Sequence, residues 1–493
     1  MLFRAAALAF LCLAGPAAAS PRTSAAVGMS VEPTGLDPTV AAPVAIGQVT
    51  WQNVYQGLVR IDRTGAVRPQ LASSWTVSPD GLVYTFALRT GVHFQDGEPF
   101  DAASAKFTLD RARGPASTNP QKQFFSAIDA VEAPDPATLV VRLRQPSADL
   151  LYWLGWPASV MLAPKSADAD RTDPVGTGPF RVARWVRGDR VELVRDPGYW
   201  DADHLPALES ATFRFVPDPQ AQAAALRAGG LDAVPELGAP ELFAAFKGDP
   251  AFDAVAGTTG LKVVAGMNCA RAPFDDVRVR RALMMAVDRR ALIDAASSGF
   301  GTPIGSHFAP GDPGYIDLAG VLPYDPAKAR ALLAEAGHGD RLAFSIRVPQ
   351  MAYATRTAEV LQAMFADVGV TMTIVPTEFP ATWIADVFKR HDFDMTVVAH
   401  AEPLDIGIYA RPDYYFGFHD GAFDADIAAA ERALDPAHRD AAYRDAERVL
   451  AEDVPALYLY VLPKLGVWNA KLRGLWADEP IPSNDLTEVR WTE

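Results

Sequence analysis

The sequence predicts a mixed α/β protein of two or three domains, and three observations carry that expectation. Alternating strands and capped helices are interspersed with no fixed repeat period, which argues for α/β or α+β lobes over a solenoid or an all-helical bundle. A chain of 493 residues is too long for one simple core. Of the two cysteines, Cys12 falls in an amino-terminal leader, so Cys269 would stand alone and stability must come from a large core without a disulfide.

The leader comes first. Arg4 is followed by "AAALAFLCLAGPAAA" (5–19), a short apolar run ending in small residues. That is the pattern of a secretory signal peptide, with cleavage expected after Ala19 and a periplasmic mature chain. The run is too short to span a bilayer as a helix. Ala9-Phe10-Leu11 before Cys12 makes a poor lipoprotein signal. No other segment approaches 18 consecutive apolar residues, so a soluble mature chain is expected. The net charge of −15 denies nucleic acid the positive field that phosphate needs.

Strands dominate the first third. In "GLVYTFALR" (81–89), Leu82, Tyr84, Phe86 and Leu88 share one face, the period of a half-buried strand. Ser78-Pro79-Asp80-Gly81 before it has turn chemistry. "TLVVRLR" (138–144) and "RVELVR" (190–195) alternate in the same way. Helices are plainer later. Asp218-Pro219 opens one that stops at Gly229, and Asp325-Pro326 opens another that stops at Gly337. Val360, Leu361, Met364, Phe365 and Val368 form a helical stripe within 357–369. Residues 276–296 read as one long helix with an exposed basic face of Arg278, Arg280, Arg281, Arg289 and Arg290.

Enzyme motifs are few. HExxH, GxxxxGK[ST] and GxSxG are absent. "PVGTGPF" (174–180) fails as a phosphate loop, because Pro179 removes an amide donor and no third glycine follows; it reads as a tight turn feeding a strand from Arg181. The eight histidines show no helical or hairpin metal spacing, although His400 and His419 could meet across a loop. The stretch "AHAEPLDIGIYARPDYYFGFHD" (399–420) gathers two histidines, four carboxylates (Glu402, Asp405, Asp413, Asp420) and five aromatic rings. It is too broken for a long helix, and it reads as a catalytic centre, a metal site or a pocket wall.

The remaining motifs converge. "GLDPTV" near the start, the long block "NVYQGLVRIDRTGAVRPQLASSWTVSPDGLVYTFALRTGVHFQDGEPFDA", "PVGTGPFRVARW", "RDPGYW", "LRAGGLDAV", "APFDDVRVRRALMMAVDRRALI" and "YDPAKARALLAEAG" occur in that order. Together they resemble the extracellular solute-binding proteins, family 5, of bacterial ABC importers, the group that includes peptide, nickel and opine binders. The resemblance implies a two-lobed α/β clamp joined by two crossover strands, with an extra domain inserted in the first lobe. The order of motifs places the first lobe's base at 20–50, 176–265 and 464–493, the insertion at 51–175 and the second lobe at 266–463. It implies hinge pivots near 264–268 and 461–466.

It also implies a function: capture of a small polar solute, expected to be a peptide or a peptide-like amine, and delivery to membrane permease subunits. No cofactor or resident metal is expected, and the protein is expected to act as a monomer. A sugar, opine or metal complex is the alternative cargo, and a secreted hydrolase using the 399–420 acids is the rival function. In similar proteins an acidic loop late in the second lobe pairs with the ligand's amino terminus. Here that loop is "AEPLDIG", which lacks the usual Asp-Pro ending and offers Glu402 and Asp405. His400, Tyr409 and Tyr414 accompany them, Tyr414 with Tyr415 and Phe416 having ordinary core as the competing reading. Met267 and Asn268, leaving the first crossover, are placed at the cleft with Cys269, whose competing reading is a small buried hydrophobe. Trp51, beside Gln52, and Trp383 complete the set as rings able to stack on a ligand.

Overall fold

The computed structural model describes residues 22–41, 43–339, 341–402 and 404–492. The signal-peptide reading of 1–19, Cys12 included, lies outside the described residues. Among these no helix is long and apolar enough to cross a membrane.

The local expectations of the first third rest on alternation, and the strands follow it. Val83–Leu88 buries Tyr84, Phe86 and Leu88 and leaves the alternate residues less covered. Thr138–Leu143 does the same with Leu139, Val141 and Leu143. With Ala72–Val77 and Ile128–Asp135 they form an antiparallel four-stranded sheet. Helix Ala102–Arg113 packs on this sheet, opened by Asp101 in a reciprocal cap with Ser104. Leu58, Phe86, Phe100, Leu109, Phe125 and Leu139 belong to its core.

A second sheet of 11 strands runs through the rest of the molecule. One end holds Ser24–Met29, parallel to Ser210–Phe215, followed by Arg190–Arg195 and Phe180–Val186. The other end holds Thr371–Thr377, Ala343–Pro349 and Met395–His400. Two long antiparallel strands, Phe252–Met267 and Ala456–Asn469, join the ends. Their outer halves pack into or beside two cores, one with Val27 and the other with Leu226 and Phe243, and their inner halves into one with Leu283, Leu361 and Met395.

The ladder between these two strands is irregular at two places, between Thr258 and Lys262 and between Val263 and Val264. Thr258 pairs with Pro463 and Lys262 with Val461, so Thr259, Gly260 and Leu261 stand against Leu462 alone, two more residues on one side than on the other. Proline cannot donate to a ladder, which helps to explain why pairing fails there. The sequence puts the first pivot near 264–268; of these, Val264, Ala265 and Gly266 are paired on both sides, against Thr396–Val398 and Ala456–Tyr458, and Met267 is paired with Met395. The wider break lies at 259–261, and on the second strand it falls at 461–463.

Helix caps follow their sequence signals. Asp218 and Asp325 accept from backbone amides at the starts of Pro219–Arg227 and Pro326–Glu335. Gly229 and Gly337, just past their ends, adopt φ values of 71° and 86°. The 357–369 stripe falls within and just past Ala352–Ala366. The long helix expected over 276–296 is two helices, Val277–Met285 and Arg289–Ser297, because Asp288 caps the second with bonds from the Arg290 and Ala291 amides. Its basic face is also not all exposed. Arg280 is buried, donating to the Asp453 and Phe274 carbonyls. Arg289 is buried against the Tyr458 carbonyl, and burial pulls its pKa down to about 10. In the turn at 174–180 a Cβ on Gly176 would lie 1.9 Å from the Val54 carbonyl oxygen, so close backbone approach requires glycine there.

Candidate functional site: an interlobe cleft

A cleft of about 330 Å³ opens between the two ends of the large sheet. One wall is built from the first end and the segments that follow its opening strand: Pro38, Val44 and Gly47, then Gln121 and Phe124, then Trp156 and Pro157. The helix Val44–Thr50 turns Val44 and Gly47 toward it. Phe124 is held by a stacked contact with Trp153, ring centroids 3.5 Å apart. The facing wall comes from the second lobe: Phe388, Glu402, Asp405, Ile408, Arg411 and Tyr414. A neighbouring cavity of about 350 Å³ shares Ala158 with the cleft and reaches toward Thr39 and Asn119.

The 399–420 stretch builds the facing wall from two layers. The outer layer meets the cleft. Glu402 and Arg411 are exposed, and among the described residues neither side chain forms an ion pair. The Arg411 guanidinium lies 5.9 Å from the Tyr414 ring centroid, and Tyr414 meets Phe388 edge-on at 5.3 Å. The inner layer is buried. Asp405, on the short helix Asp405–Ala410, accepts from Lys262 Nζ at 2.7 Å through Oδ1. His307 Nε2 lies 2.9 Å from the same oxygen, and His400 Nδ1 lies 3.3 Å from Oδ2. Each histidine is bonded on its other nitrogen by a phenol, Tyr409 to His307 at 3.1 Å and Tyr415 to His400 at 2.9 Å.

Electrostatics fit this wiring. Burial pushes the Asp405 carboxyl up, but the Lys262 charge, with the hydrogen bonds of His307 and His400, more than offsets it and holds the group well below the usual range. Burial pulls Lys262 down, and Asp405 and Asp312 outweigh it, so the ammonium keeps its proton. His307 is lowered to about 4 by burial and the Lys262 charge. It is therefore neutral at pH 7, donating from Nε2 to Asp405 and accepting from Tyr409 at Nδ1.

His307, His400 and Asp405 bring three metal-type donor atoms within 4.8 Å of one another. Each of these atoms already has a protein partner, and the Lys262 ammonium fills one side of the carboxylate. The set is a hydrogen-bond network supporting a loop. His400 finds His307, ring centroids 5.0 Å apart, and not the exposed His419 suggested by sequence proximity.

The sequence-derived candidates separate accordingly. Glu402 and Tyr414 line the cleft, and Asp405 reaches its wall while held from behind by Lys262. His400 and Tyr409 belong to the buried support, with Tyr409 stacked on Phe416 at 4.3 Å. Tyr415 and Phe416 are core. Met267 is fully buried among second-lobe apolar residues, because its strand is covered on both faces there. Asn268 is buried and donates to the His391 and Phe393 carbonyls. Cys269 packs beside the same core, where burial pushes its thiol up to about 11. Trp51 is core, donating to the Gly155 carbonyl at 3.1 Å and edge-on to Trp476, and Gln52 is buried beside Gln70. Trp383 is buried and donates to Thr396.

Sequence reasoning passed over Lys262, His307, Arg411 and the Gln121–Phe124 segment as site residues. An isolated lysine in an otherwise apolar strand run was the signal for Lys262. Nothing local marks His307, whose partners lie 98 and 102 residues away.

Comparisons with known proteins agree with this architecture. Residues 66–423 match the family model described as Bacterial extracellular solute-binding proteins, family 5 Middle. The glutathione-binding protein GsiB of Salmonella typhimurium is 32% identical over 496 aligned positions, covering 95% of each chain. Its counterpart in Escherichia coli O1:K1 is 30% identical, covering 95% of this chain and 94% of the other. Among solved structures, the PBP AgaA in complex with agropinic acid from A.tumefacien R10 superposes with a TM-score of 0.82 at 26% identity, over 95% of this chain and 99% of that one. NikA from Brucella suis in complex with Fe(III)-EDTA gives 0.83 at 25% identity, over 95% and 100%.

Proposed function

This chain belongs to the bacterial extracellular solute-binding proteins, family 5, and on that premise we propose that its cleft captures a small peptide or peptide-like zwitterion. The protein is the substrate-binding component of an ABC importer and not an enzyme. The hydrolase reading of 399–420 falls with that, and the wiring of Asp405 and its histidines leaves none of them free to move a substrate proton.

The observation that carries the ligand reading is the pair Glu402 and Arg411. They place one negative and one positive side chain on the same cleft wall, free of other ion pairs among the described residues. An ammonium and a carboxylate of one ligand match them, and the Arg411 fork suits a carboxylate in bidentate fashion. Across the cleft Phe124, Trp156 and Val44 offer apolar surface for the ligand's body. A volume of about 330 Å³ is near the lower end for ligand pockets and favours a peptide of a few residues over a long one. GsiB, named for glutathione, is such a case among relatives.

The receptor's work is conformational. A ligand that touches both walls only when they approach stabilises the closed form by that difference in affinity. We place the lobes as the sequence does, at 20–50, 176–265 and 464–493, 51–175, and 266–463, acting as a monomer in the periplasm and handing its cargo to membrane permease subunits. The test is native mass spectrometry of protein purified from its own periplasm, followed by calorimetry with the ligand recovered. An amine- and carboxylate-bearing ligand in one-to-one complex supports the reading. A neutral sugar overturns it.

A further inference from the structure

Lys262 lies on the first crossover strand, directly after the three residues where its ladder with the second crossover is broken. Its side chain is 1% exposed, and it does not stay with its own strand. It crosses to the cleft loop and donates twice, to Asp405 Oδ1 at 2.7 Å and to the Glu402 backbone carbonyl at 2.7 Å. Both acceptors belong to the segment that carries the exposed Glu402 side chain into the cleft. The strand is also tied to the loop's base, because Lys262 and Val263 pair with His400 and Ala399. The loop therefore hangs from the strand at its start by the ladder and at 402–405 by one buried ammonium.

We propose that Lys262 is a positioning residue that makes the cleft loop move as one body with the first crossover strand, so that the ligand ammonium site at Glu402 and the bend between the lobes change together. The inference rests on the cleft reading above, but its core test needs no ligand. A buried charge pair has two arrangements, made or broken, and leaving either member alone in the interior is costly. A loop held this way cannot drift while the pair is intact. Without the tether, the Glu402 carbonyl would lose the ammonium that holds it, Asp405 would keep only its two histidine contacts, and the Glu402 carboxylate would sample more positions relative to Arg411.

The experiment is amide hydrogen exchange on the full mature protein without ligand, comparing the parent with the charge-neutral double variant Lys262→Met/Asp405→Asn. Exchange across 402–411 and 258–263 is expected to rise together, by about tenfold or more, while the sheet strands at 83–88 and 138–143 keep their parent rates. Unchanged rates at 402–411, or a rise shared equally by the whole second lobe, overturn the proposal, since a purely structural pair would loosen the lobe as a unit. Should the double variant fail to fold, the parent alone decides. The amides of 402–411 and 258–263 must respond to low urea with one common opening free energy, and two independent openings overturn the tether. Adding reduced glutathione gives a separate arm. Joint protection of both segments in the parent supports the coupling, whereas protection of 402–411 alone overturns it. If glutathione leaves the parent unprotected, glutathione fails as cargo, and the ligand-free arm still decides the tether.

Discussion

The Lys262 ammonium and the Asp405 carboxylate meet at 2.7 Å with both side chains almost wholly out of solvent, and their residues are 143 positions apart in the chain. Removing one partner leaves the other charged and buried. Asp405→Asn and Lys262→Met are each expected to cost about 3–5 kcal/mol of stability, whereas the double variant loses markedly less than the sum. Urea unfolding of the four proteins measures the cycle. Strictly additive losses would show that the pair does not interact.

Glu402 and Arg411 are exposed in the cleft and become desolvated only when ligand is enclosed. Glu402→Gln and Arg411→Met should therefore leave unfolding midpoints unchanged. Each should weaken ligand binding by roughly 2–5 kcal/mol, about 30- to 4,000-fold, as read by calorimetry with the co-purified ligand. Variants binding within threefold of the parent would point to a neutral ligand held by the aromatic wall.

Glu447 is fully buried and bonded to the Ser306 hydroxyl through Oε2. Burial, with the Asp312 charge adding to it against the Ser306 bond, pushes its carboxyl from 4.5 up to about 8. The folded state thus holds a proton that the unfolded state releases above 4.5. Its contribution to stability is present below that pH and is lost as pH rises through about 8. Replacing it by Gln should flatten this slope, by roughly 3–5 kcal/mol between pH 4.5 and 8, in parallel unfolding curves. Comparison with the variant separates Glu447 from Asp170, which burial also raises, to about 7. Equal slopes in both proteins would show that Glu447 ionises freely in the fold.

The leader predicts a mature amino terminus at Ser20. Intact-mass measurement on protein recovered from the periplasm should match a chain that starts there. A mass retaining residues 1–19, or a lipid adduct at Cys12, excludes the cleavage.

Local features were legible because their causes are local. Alternation placed Tyr84, Phe86 and Leu88 on the buried face, and Asp-Pro openings with glycine stops bounded two helices, since capping and turn conformations involve neighbours only. The same locality explains the one helix misjudged. An apolar stripe continues through Asp288, and whether that residue caps or sits mid-helix depends on how the chain must turn.

By itself, then, the sequence determined the α/β elements, the net acidic charge and, through ordered motifs, the family. Tertiary structure decided which side chains meet. Met267, Asn268, Trp51 and Tyr409 carry chemistry suited to a ligand, yet packing buries them. Asp405 looked like a ligand for a cation and has its cation inside the protein, in Lys262. The reason is physical: side-chain direction on a strand is local, but the partner that satisfies a buried charge is chosen by the fold. That choice left the outward pair Glu402 and Arg411 to face the cleft.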